Sequence, residues 1–71
     1  MKTHVYISYY FYKNEPFTPT YLVSKAKNIK HANEIAYWHL HGYLREQRKG
    51  AQFINDVMKR IKIISKRSNK L

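Results

Sequence analysis

The chain has no cysteine, two glycines, two prolines and only four acidic residues among its 71. Without cysteine, neither a disulfide framework nor a thiolate-metal site can supplement a small core. Two glycines are too few for a phosphate-cradling loop, which needs several at fixed spacing. No apolar run approaches the ~20 residues of a membrane span, so no membrane partner is expected. The start, MKTHVYISYY, turns polar and aromatic after one lysine and makes a poor signal peptide. With no internal repeat, low-complexity stretch or linker, residues 1–71 read as one domain with a frayed tail over about 66–71. These absences point to a cytoplasmic protein near the lower size limit for folding on a hydrophobic core alone.

Positive charge is what the chain has in excess. Ten lysines and four arginines face the four acids, for a formal net charge of +10. Arg45 to Lys70 holds nine basic and two acidic residues, against five and two in residues 1–44. Self-repulsion on this scale costs stability in a small domain, and a polyanion relieves it. RNA or DNA is the commonest such partner, with an acidic protein surface next. An apolar content of 44% is too high for a disordered chain, so the charge sits on a folded domain.

The pattern of residues predicts an α+β fold. HVYISYYFY, residues 4–12, alternates as a strand, with Val5, Ile7, Tyr9 and Phe11 on one face and His4, Tyr6, Ser8, Tyr10 and Tyr12 on the other. Lys13-Asn14-Glu15-Pro16 reads as a turn, and a second strand follows over about Thr20–Ala26. A helix is expected over about 29–48, started by Asn28 and stopped by Gly50, with its apolar stripe running through Ile29, Ala32, Ile35, Ala36, Leu40 and Tyr43. The last segment fits a strand over about Val57–Ser65, or alternatively a helix. The order is then β-β-α-β, a three-stranded antiparallel sheet with one helix on one face; the alternative is β-β-α-α. By apolar content the helix should cover Val5, Ile7, Tyr9 and Phe11. Tyr6, Tyr10 and Tyr12 would be left bare as the seam of a homodimer, since tyrosine buries a large ring and keeps a polar tip.

Candidate binding residues follow from the cations. On the helix, Lys30, Tyr37, Arg45 and Arg48 project opposite Ala32 and Ala36, with Trp38 at the margin and Lys49 just beyond. Arg and Lys suit phosphates, and rings can stack on unpaired bases. Lys59, Arg60, Lys62, Lys66, Arg67 and Lys70 form a second group, and Lys25 and Lys27 a third at the strand–helix junction. His39 points toward the core stripe, while His31 and His41 project elsewhere, so the helix histidines do not converge on a metal. No paired acid and base or activated nucleophile is visible either, which leaves a non-enzymatic protein without a cofactor.

An aromatic first strand running into Phe11-Tyr12-Lys13-Asn14-Glu15, then a hairpin, one helix and a short last strand, resembles the small early proteins of T4-type bacteriophages. Within that group it resembles in particular the antitoxins of the TifA and Dmd type, which disarm host ribonuclease toxins. The resemblance covers about residues 4–65 in pattern and carries over no functional residue. It implies a phage protein that acts on a host toxin or defence nuclease, either directly or through RNA, and the high charge suits the RNA route. Small anti-CRISPR proteins share this size and shape, and imply instead an inhibitor that docks its basic face on a host complex.

Overall fold

The computed structural model describes residues 2–68, with Thr18 and Pro19 described by their backbone alone. The elements run β1 (His4–Tyr12), β2 (Glu15–Ala26), α1 (Ile29–Glu46), α2 (Ala51–Arg60) and β3 (Lys62–Arg67). All strands pair antiparallel in the order β2-β1-β3, so β1 is central. One sheet and one helical layer give an α+β domain of 37 × 24 × 17 Å.

Lys13 and Asn14 both adopt positive φ, 54° and 65°, closing a two-residue turn between the paired residues Tyr12 and Glu15. Such a mirror-image turn matches the twist of its strands. β2 therefore begins five residues before the expected Thr20. Its register on β1 jumps between Tyr9↔Tyr21 and Phe11↔Pro16, leaving extra residues bulged on β2. Prolines are tolerated there because β2 is an edge strand.

Asn28 caps α1 as expected, its Oδ1 accepting from the His31 N–H at 2.8 Å. His31 Nδ1 in turn accepts from the Lys27 N–H at 3.1 Å, so each side chain satisfies an amide near the helix start. The stop expected at Gly50 lies earlier, at Arg48, which takes φ 57°. The Arg48 N–H donates to the Arg45 carbonyl at 3.0 Å and the Lys49 N–H to the Leu44 carbonyl at 3.3 Å. This is the terminating motif that glycine usually supplies.

Gly50 instead precedes α2, a second helix in a segment expected to be strand from Val57. Ile54, Val57 and Met58 are buried at helical spacing, and Ile61 ends the helix by turning extended. β3 then carries the β-branched run and extends through Lys66 and Arg67, which were expected in a frayed tail; residues 69–71 of that tail lie outside the described residues.

The largest departure is the face of β1 that meets the helices. Tyr10 is fully buried, Tyr6 is 5% exposed and Ser8 is buried between them. The expected homodimer seam of Tyr6, Tyr10 and Tyr12 is thus part of the intramolecular core. Tyr10 packs with Ala36, Leu40, Leu44, Ile54, Val57 and Met58, and Tyr6 with Ala26 and Ala32. Small helix residues leave room for long rings. The Tyr10 hydroxyl donates to the Ala36 carbonyl at 2.7 Å. Ser65 donates to Asn33 Oδ1 at 2.5 Å, so the Ser8 hydroxyl, 2.7 Å from Ser65, is the donor in that pair.

Two outcomes test these assignments. Arg48→Gly should stabilise the domain by about 1 kcal/mol in urea unfolding, because glycine carries no left-handed penalty. Burial raises the Tyr10 pKa to about 12 from 10.0, so the neutral form is the one the fold favours. Stability from this group is complete below pH 10 and disappears as pH rises through about 12. Tyr10→Phe should lose about 1 kcal/mol at neutral pH and show a shallower alkaline unfolding limb.

Candidate nucleic-acid interface

The face of the sheet turned away from the helices has no covering layer. Ladder pairing sets its composition, since residues directly opposite one another share a face. Ile7 lies between Val23 and Lys66, Tyr9 between Tyr21 and Ile64, Val5 beside Lys25 and Phe11 beside Lys62. Tyr21 is 57% exposed, Val23 46%, and Tyr9 and Ile64 37% each. The centre of the face is thus apolar and aromatic, and all three charged residues at its margins are lysines.

At the hairpin end, Phe11, Lys13, Asn14, Arg60 and Lys62 line an open hollow of about 300 Å³. On the other face of β1, Tyr12 donates to Asp56 and lies edge-on to Phe17 with ring centres 5.5 Å apart. Arg60 Nε stands 2.9 Å from the same Asp56 carboxylate, one helical turn away. The Tyr12 hydroxyl holds the Asp56 pKa below the usual carboxylate range; Arg60 and Lys13 add to this, and partial burial opposes it. The same hydrogen bond, with burial and the Asp56 charge behind it, raises the Tyr12 pKa.

The outer face of α1 offers a second surface. Trp38 is 65% exposed and meets the Tyr37 ring edge-on, with centres 5.1 Å apart. Between α1 and the start of β3, Tyr37, Trp38, Ile61 and Ile63 line a groove of about 290 Å³, with Asn33 and Glu34 as its polar residues. Lys30 and Arg45 lie exposed toward the two ends of this helix, some 22 Å apart along its axis by helical rise.

The structure divides the candidate cations between two layers. Lys30, Tyr37, Trp38 and Arg45 belong to the helix layer, with Lys27 before it and Arg48 and Lys49 beyond it. Lys49 lies 5.8 Å from the Phe53 ring centre. Lys59 and Arg60 end α2. Lys25, Lys62 and Lys66 border the open sheet, whereas Arg67, opposite Tyr6, falls on the helix side of β3. His39, expected to pack toward the core, is exposed, and His31 and His41 are the half-buried ones. Among the described residues no three His, Asp or Glu side chains come together.

Family models, curated proteins and solved structures were all compared with the chain. None matches.

Tyr9, Phe11 and Tyr21 on the open face, and Lys13 beside it, are surface residues that the sequence reading did not include among its candidates. A usable signal was present: Lys25, Lys62 and Lys66 alternate in phase with the outward residues of their own strands.

The Asp56 cluster gives a pH prediction. Its lowered pKa means that its contribution is complete above the unfolded value of about 3.8 and disappears as pH falls through the folded value. Asp56→Asn should flatten the acid limb of the stability–pH curve below about pH 4, measured by thermal unfolding, and make the alkaline limb shallower as well, since Tyr12 loses the carboxylate that raises its pKa.

Proposed function

We propose that this protein is a non-enzymatic, basic RNA-binding accessory protein that neutralises a host toxin or defence nuclease. The observation that carries the reading is unneutralised charge: with +10 net on 71 residues, the one ion pair among the described residues is Arg60–Asp56. Phosphate is the ligand that such a set of exposed lysines and arginines fits best. Lys30, Arg45 and Arg48 with the helix layer, and Lys62 and Lys66 with the sheet, supply contacts from more than one side of the domain. The resemblance to phage antitoxins supports the biological setting, a phage protein acting in the host cytoplasm. No helix among the described residues is long and apolar enough to cross a membrane.

A second reading is favoured by exposed Trp38 and its groove. A bare tryptophan beside an apolar hollow is the kind of anchor that dominates protein–protein affinity. On this reading the protein inhibits a host defence complex by docking a basic face on an acidic or nucleic-acid-binding surface.

Binding to RNA should fall about 10³-fold or more between roughly 50 and 200 mM salt if six or more phosphates are contacted. Lys30→Glu with Arg45→Glu should weaken binding and flatten that dependence in fluorescence anisotropy without changing the circular dichroism, since both side chains are exposed. Nuclease treatment during purification separates the readings. An RNA-mediated complex dissolves, whereas a stoichiometric protein complex survives and favours the inhibitor.

A further inference from the structure

We infer that the open face of the sheet is a platform for unpaired bases, so that the nucleic acid held by this protein is single-stranded. The inference rests on the RNA reading above and adds which form of RNA is bound and where its bases lie.

Three observations carry it. First, Tyr9, Tyr21 and Phe11 stand on the bare face in adjoining positions: Tyr9 and Tyr21 are direct cross-strand partners, and Phe11 is two residues further along β1. That places Phe11 about 6.7 Å along the strand from Tyr9. Ring faces at this spacing can each take one base, and stacking accepts any base because all have a π face.

Second, the charge on this face has a single sign. Of the four acids, Glu34 and Glu46 lie on α1, Asp56 on α2, and Glu15 opposite Tyr12 on the helix-side register. Lys25, Lys62 and Lys66 border the aromatic centre with no carboxylate among the residues paired across it. A strand whose bases lie over the rings would have its phosphates at these margins. The hollow of Lys13, Arg60 and Lys62 continues the same margin past Phe11.

Third, the same charges oppose the alternative occupant. Two copies stacked by this face would bring six lysines into one interface with no acid from either face to meet them, and like charges juxtaposed at an interface repel. A duplex fits poorly as well, because its bases are paired inward and its phosphates alone would meet an apolar centre.

The test uses the full chain with a short single-stranded RNA of mixed sequence and the duplex of the same length. Tyr9→Ser combined with Tyr21→Ser should lower single-strand affinity about tenfold or more at fixed salt. Duplex binding and the salt slope should be unchanged, since no cation is removed. Tyr9→Phe with Tyr21→Phe should keep single-strand affinity, because stacking uses the ring and not the hydroxyl; this pair also guards against loss of fold in the serine variant. RNA binding that is indifferent to both pairs overturns the platform and leaves the RNA reading standing. Failure of the wild type to bind either RNA overturns both. A concentration-dependent dimer in light scattering that the serine pair separates assigns the face to a second copy instead.

Discussion

Everything in this fold depends on which side of β1 turns toward the helices, and lysines on the neighbouring strands decide it. Antiparallel pairing puts Lys25 beside Val5, Lys66 beside Ile7 and Lys62 beside Phe11. If the more apolar face of β1 were covered, three ammonium groups would be dragged under the helices with it. Burying even one unpaired charge costs more than exposing several aliphatic side chains. The side-chain period of two permits no compromise, because every residue changes face together.

The opposite choice would fail if the tyrosines could not be satisfied inside, and the helices are built to satisfy them. Ala32 and Ala36 bring α1 close enough for the Tyr10 hydroxyl to reach a main-chain carbonyl, while α2 presents Asp56 to Tyr12. Ser8, Ser65 and Asn33 complete a polar chain across β1, β3 and α1. A buried ring with a satisfied hydroxyl contributes its full apolar area without leaving an unpaired polar group. Ser24 Oγ is the buried side-chain atom among the described residues without such a partner.

Much of the architecture was legible, and the misreadings share a physical cause. Central β1, the antiparallel hairpin, the Asn28 cap and the existence of α1 all follow from local signals, which a single segment carries by itself. The sidedness of β1 does not, because Val, Ile and Phe outrank Tyr and Ser only while the strand is considered alone. Its neighbours reverse the ranking. The C-terminal segment failed differently: its apolar residues fit a helix up to Met58 and a strand from Ile63, and one element was assigned where Ile61 separates two. For the candidate cations, the excess of charge was legible but their division between two layers was not, since it follows from the strand register and from α2.

A two-layer domain of this size cannot cover both faces of its sheet, so one face must meet solvent or a partner. An exposed apolar face between two edge strands would ordinarily invite stacking and edge-to-edge pairing. Here β2 and β3 are both edges; Lys25 on β2, and Lys62 and Lys66 on β3, are in phase with the open face. The same three ammonium groups therefore orient β1, oppose the stacking of one such face on another and give its margins a positive field. Removing any one of them should leave the fold in place, because their side chains are already outside.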